Sequence, residues 1–177
     1  MTRPTLDIDV TMQGMEGPPP QVTVKSIDDY LEQLSKGVFQ AGISWRVIAA
    51  KWDGFREAFH GFDAEEVASF TPKDVDRLVE DTRIVRNRSK IQATVDNAET
   101  LLALEREFGS VKKYLRSHAD FDTTVKDLRA RFKWLGDSGA YYFLHVVKEP
   151  VPPHDEWMAS HGGAMRSRSG SKRKPKA

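Results

Sequence analysis

At 177 residues, with 39% hydrophobic and 30% charged side chains, the chain has the size and balance of one soluble globular domain with a proper core. It contains no cysteine, which excludes disulfides, thiolate metal sites and a cysteine nucleophile, and no apolar run approaches the roughly 20 residues that span a bilayer. Net charge is +1, but Arg166, Arg168, Lys172, Arg173, Lys174 and Lys176 crowd the acid-free last dozen residues and leave 21 of the 27 cations facing 26 acids, so any nucleic-acid binding by the body has to rest on local basic patches.

Residues 1–25 read as an irregular segment. Leu6, Ile8 and Val10 alternate with Asp7 and Asp9 as a short strand would, and Gly17-Pro18-Pro19-Pro20 then breaks any regular element. The acids and the lack of an apolar stretch before Gly17 do not fit a secretory leader, so a cytoplasmic location is expected.

Helical periodicity begins at Ser26, where Asp28 and Asp29 complement the helix dipole and Ile27, Tyr30, Leu31, Leu34 and Val38 form one apolar face. The hexapeptide Gln40-Ala41-Gly42-Ile43-Ser44-Trp45 interrupts it. Gly42 permits a sharp bend, Ser44 is a natural N-cap, and Trp45 opens a second helix carrying Ile48, Ala49, Trp52 and Phe55 or Phe59. Asp63 and Thr71 read as caps of two short helices ending near Phe70 and Glu80, with Pro72 at a first helical position.

A long helix is expected from about Val85 to Phe108, stopped by Gly109. Ser110 caps a short helix through Leu115, and Thr123 or Thr124 starts another. Leu135-Gly136-Asp137-Ser138-Gly139 leads into a last helix over 140–147, ended by Pro150, Pro152 and Pro153. About eight helices and no convincing sheet make an all-α bundle with short loops: an irregular segment over 1–25, a helical domain over 26–158, and a disordered basic tail over 159–177.

On these residues alone, the 40–45 stretch is either a ligand-facing loop or a helical corner that fills the core. The helix, Gly-x-x-Gly turn and helix around Gly136 and Gly139 are either an ordinary α-hairpin or a phosphate grip, with free N–H groups facing the anion and Lys133, Arg129 and Arg131 supplying charge. Arg86, Arg88 and Lys90 are either solvated charges or a basic patch.

Gln-Ala-Gly-Ile-Ser-Trp over 40–45 resembles the signature loop of the DNA-3-methyladenine glycosylase I family of base-excision repair enzymes. Ile84-Val85-Arg86-Asn87-Arg88-Ser89-Lys90-Ile91 resembles the same family's basic helix start. Phe55-Arg56-Glu57-Ala58-Phe59, Gly61-Phe62-Asp63 and Phe132-Lys133-Trp134-Leu135-Gly136 follow in the family's order, so the resemblance covers about 26–148. It implies an all-α, helix-hairpin-helix protein that binds duplex DNA as a monomer and hydrolyses the N-glycosidic bond of alkylated purines, without a cofactor. The alternative is a non-catalytic lesion-binding protein of the same fold.

Such an enzyme must extrude its target nucleotide. The resemblance then gives Ile43 and Gly42 the part of a wedge in the base stack, and Trp45, Tyr30 and Gln40 that of the base-binding wall, with cation–π stacking for a charged alkylpurine. Lys133, Gly136, Ser138, Gly139, Arg86, Arg88 and Lys90 would meet phosphate. Asp155, after the hairpin's second helix, would stabilise an oxocarbenium ion, although it also reads as an exposed acid in a proline-rich stretch. The sequence departs from the family in three places. Ser35-Lys36-Gly37-Val38-Phe39 lacks the family's pocket glutamate, the usual N-terminal Cys and Tyr-His-Asp segment is missing, and the absence of cysteine removes its Cys/His zinc clip, so no metal is expected.

Overall fold

The computed structural model describes residues 19–161. The strand considered at residues 6–10 and the basic stretch from Gly162 onward lie outside the described residues. Within them the chain is helical and without a strand: α1 (Ile27–Gln40), α2 (Trp45–Ala58), a 3-10 turn (His60–Phe62), α3 (Ala64–Ala68), α4 (Pro72–Val79), α5 (Arg88–Phe108), α6 (Val111–Leu115), α7 (Phe121–Arg131), α8 (Asp137–Val146) and α9 (His154–His161). Residues 19–25 are irregular and lie along the end of α8, where the Val22 amide donates to the Val146 carbonyl at 2.7 Å.

Local chemistry sets most helix ends. Asp29 accepts the amides of Lys25 and Ser26 ahead of α1, and Thr71 and Asp74 form a reciprocal capping box around Pro72 at the start of α4. Gly109, at φ 87°, closes α5 in the left-handed conformation, and Ser110 caps α6. Two starts differ from the sequence expectation. Helix α5 begins at Arg88 and not near Val85, because the Asn87 side chain accepts the Lys90 amide and so caps the helix there. Helix α7 begins at Phe121, since Asp120, and neither Thr123 nor Thr124, is the cap; its carboxylate accepts the Thr123 amide at 2.7 Å.

Helix α5 is the central strut, packed by α1, α3, α4 and α6. Beside it the rings of Phe39, Trp52, Phe55, Phe59 and Phe62 form a continuous cluster, with Trp52 and Phe62 stacked at 5.2 Å. Helix α9 was not expected after three prolines. Pro152 and Pro153 precede it, where missing amides leave no intrahelical bond unmade, and α9 carries the helical body past residue 158 to His161. Trp157 on it stacks on Tyr141 at 5.0 Å and closes this end of the core.

Candidate nucleic-acid interface

The chain between α1 and α2 is a tight turn with a defined chemistry. The Ile43 amide donates to the Gln40 carbonyl at 2.8 Å, Ala41 sits at φ −55° and ψ 113°, and Gly42 at φ 75°. These are the angles of a type II turn, whose third position requires positive φ and therefore favours glycine. Gln40, Gly42 and Ser44 face solvent. Ile43 and Trp45 are half-buried and lean on the core, so the expected wedge rests against the protein and does not stand free at a tip. Ser44 precedes α2 but makes no side-chain cap, contrary to the sequence expectation; its carbonyl accepts the amides of Val47 and Ile48.

Behind the turn lies Lys90, in the first turn of α5 and only 2% exposed. Its ammonium donates to the Phe39 carbonyl at 3.0 Å and to the Ala41 carbonyl. The third direction is filled by the ring of Trp134, whose centre is 5.4 Å away. Burial pushes the Lys90 pKa below its ordinary value. The phosphate contact expected of Lys90 is therefore corrected: its donors meet the protein's own backbone, because helical phase turns residue 90 inward while Arg88, two positions earlier, and Arg86, ahead of the helix, stay exposed.

Helices α7 and α8 and the 132–136 turn form the expected helix-hairpin-helix shape. Gly136 occupies the N-cap of α8 and offers no side chain to the first amides. Gly139 has a packing role, since a Cβ there would stand 3.2 Å from Leu135 Cδ1. Asp137 lies in the first turn of α8 and pairs with Arg129 at 2.7 Å, which ties both charges to the hairpin. Lys133 is held by its backbone: Asn97, buried on α5, accepts its amide at 2.8 Å and donates to its carbonyl at 3.2 Å. Trp134 stands at φ 58°, rare for a bulky residue, with its indole N–H on Ser89 Oγ at 3.1 Å and 47% of its surface exposed.

Arg88, Ser89, Gln92, Ala93, Asp96, Lys133 and Trp134 line one open cleft of about 510 Å³. Two expected phosphate contacts, Arg88 and Lys133, thus share a surface beside the turn, although Arg88 is also paired with Asp76 at 2.7 Å. Asn97, Ser89 and Trp134 were not among the expected site residues. The readable signal for Asn97 was a polar residue on the apolar face of a long helix.

The remaining expected residues lie elsewhere. Tyr30 is in the core with its ring 6.2 Å from Phe143, and burial, then the charge of Glu149, raises its pKa. The Asp155 side chain is fully exposed at the start of α9, beside His154. A carboxylate in bulk water has little electrostatic leverage on a reacting centre, so the structure does not support the catalytic part given to it. Lys36 does not add charge to the turn: its ammonium lies 5.4 Å from the centre of the Trp52 ring, burial lowers its pKa, and Glu32 opposes that shift. Glu32 itself accepts from the Trp52 indole at 2.8 Å and from Arg56 at 2.6 Å. The family's zinc clip does not fit this chain, which has no cysteine and, among the described residues, no group of three His, Asp or Glu able to hold a metal.

The DNA-3-methyladenine glycosylase of Haemophilus influenzae is 34% identical over 89 residues, 50% of this chain and 48% of that protein. DNA-3-methyladenine glycosylase 1 of Escherichia coli is 45% identical over 67 residues, 38% of this chain and 36% of that protein. The matched part thus spans about half or less of these curated relatives. A crystal structure of a tyrosine-to-phenylalanine variant of 3-methyladenine DNA glycosylase I in complex with 3-methyladenine aligns with a TM-score of 0.63 at 30% identity, covering 78% of this chain and 84% of that one. Residues 22–138, which include the 40–45 turn and the hairpin only as far as the start of α8, match the methyladenine glycosylase family, and the chain belongs to that family.

Proposed function

We propose that this chain is a base-excision repair glycosylase that releases alkylated purines of the 3-methyladenine kind from duplex DNA by hydrolysing the N-glycosidic bond. The observation that carries the reading is the type II turn at 40–43, braced from behind by Lys90 and set beside the helix-hairpin-helix turn. One surface then holds a phosphate grip and an aromatic, apolar turn where an unstacked nucleotide would be received. Gly136, Ser138 and Gly139 present the start of α8 to phosphate, with Lys133, Arg88 and Arg86 as flanking cations. Ile43 and Gly42 press on the base stack, and Trp45 and Gln40 meet the extruded base. An alkylated purine is cationic and leaves readily, so orientation and a π-face supply much of what the reaction needs.

The protein acts on DNA as a monomer in the cytoplasm, and the basic stretch near its C-terminus adds non-specific affinity. The monomer assignment is supported by the scarcity of exposed large apolar side chains, Val47 and Trp134 among the described residues.

A second reading, a lesion-binding protein without catalysis, is favoured by one observation. The helical turn ahead of residues 40–45 has no carboxylate, and the nearest, Glu32, is engaged by Trp52 and Arg56. Chromatography of bases released from methylated duplex DNA separates the two. Release of 3-methyladenine by the natural protein and its loss in Trp45→Ala support the enzyme. Absence of any released base with DNA binding intact selects the second reading.

A further inference from the structure

Lys90, Thr94 and Asn97 occupy successive turns on one face of α5 and are all buried. Each end of this polar stripe grips backbone from a distant part of the chain. Lys90 holds the carbonyls of Phe39 and Ala41, and Asn97 holds both backbone groups of Lys133. Between them Thr94 closes on the Lys90 carbonyl at 2.9 Å, so the stripe leaves its own polar groups satisfied. Cross-contacts join the two ends, with the Lys90 ammonium facing the Trp134 ring and the Trp134 indole bonded to Ser89.

Packing alone does not call for this arrangement. A buried ammonium is unfavourable unless its charge is matched; Lys90 meets two carbonyls and a ring, and burial lowers its pKa. A left-handed backbone at Trp134 is also unfavourable, and the indole it places is the one facing Lys90. Two unfavourable features meet at Lys90, between turn and hairpin.

Resting on the glycosylase reading above, we propose that Lys90 is a positioning residue that fastens the 40–45 turn to the hairpin, so that docking of phosphate at 133–139 sets where Ile43 and Trp45 enter the DNA. Helix α5 is the rigid rail and Lys90 the joint. Without the joint, the turn keeps its own hydrogen bond and the packing of Ile43 and Trp45 but loses its tie to the hairpin, and grip on the backbone no longer fixes the site of unstacking.

The test uses the full chain and two duplexes, one undamaged and one with an abasic-site analogue beside a 2-aminopurine reporter. Lys90→Met keeps the apolar stem and removes the donors and charge. Binding of the undamaged duplex stays within about twofold of the natural protein, preference for the abasic duplex falls about tenfold, and the reporter fails to brighten at saturation. A purely structural role would lower both affinities together, in step with the melting temperature, and would overturn the proposal. So would unchanged preference and brightening. Trp134→Leu removes the other half of the contact from an exposed position, and keeps the test decisive if Lys90→Met fails to fold. Its abasic preference, taken as the ratio to its own undamaged binding, falls in the same direction, and an unchanged preference overturns the proposal. None of these readouts needs base release, so loss of the enzymatic reading and loss of the Lys90 coupling are seen separately.

Discussion

Two polar networks among the described residues are built on different plans. On α5, side chains hold backbone: Lys90 takes two carbonyls ahead of the turn, and Asn97 takes the amide and carbonyl of Lys133. Between α6 and α7, side chains hold one another. Asp127 accepts from the Tyr114 hydroxyl at 2.7 Å, from His118 at 2.9 Å and from Arg131 at 3.0 Å, while Arg131 also lies over the Tyr114 ring. The second network ties α6 to α7 with Arg131 at its solvent edge, whereas the first sets the shape of two connections that face solvent.

The largest expected effect that tests this contrast is at Asp127. Asp127→Ala leaves three donors without their acceptor and lowers stability by about 3 kcal/mol in denaturant unfolding, while base release per folded molecule stays unchanged. The pH dependence follows from the same bonds. Burial pushes the Asp127 carboxyl up, but hydrogen bonds from His118, Tyr114 and Arg131 outweigh it and hold the carboxyl below its ordinary value of 3.8. A depressed carboxyl stabilises above the unfolded value and loses that contribution as pH falls through the folded one. The melting temperatures of the natural protein and the variant therefore converge only below about 3.8. Impaired base release in the folded variant would break the contrast.

A smaller stability effect, with a functional one attached, is expected at Asn97. Asn97→Ala unpairs the Lys133 amide and carbonyl at a cost of about 2 kcal/mol and, unlike Asp127→Ala, weakens DNA binding by the folded protein, which a fluorescence-anisotropy titration would measure.

The smallest is a gain. At Gly37, in the helical turn without a carboxylate, an added Cβ meets nothing within 4 Å. Gly37→Glu is expected to raise stability by about 0.5–1 kcal/mol through the helix backbone and to speed release of 3-methyladenine, whereas a slower release would show that the carboxylate belongs elsewhere.

Much of this was legible beforehand where chemistry is local. Thr71, Pro72, Gly109 and Ser110 mark helix ends by side chains acting within a turn, and the structure uses them so. Gly42 was legible as a bend for the same reason. Misreadings arose where a stronger nearby cap competed, as Asp120 did with Thr123, or where an apolar pair continued a pattern past its true start, as Ile84 and Val85 did before α5. The roles of Lys90, Asn97 and Trp134 depend on contacts across 36 to 51 positions of sequence, and a basic run such as Arg86, Arg88 and Lys90 gives no sign of which member helical phase will bury. Tyr30 has the chemistry of a base-stacking residue, but its helix face packs on α8, a tertiary fact absent from its own neighbourhood.

The most direct test of the working surface is amide hydrogen exchange of the full chain with and without an abasic-site duplex. Protection confined to 40–45 and 133–140, with 114–127 unchanged, is the result expected of a surface built by the α5 stripe. Protection centred on 114–127 with residues 40–45 unaffected would contradict it, and would move the interface to the α6–α7 network.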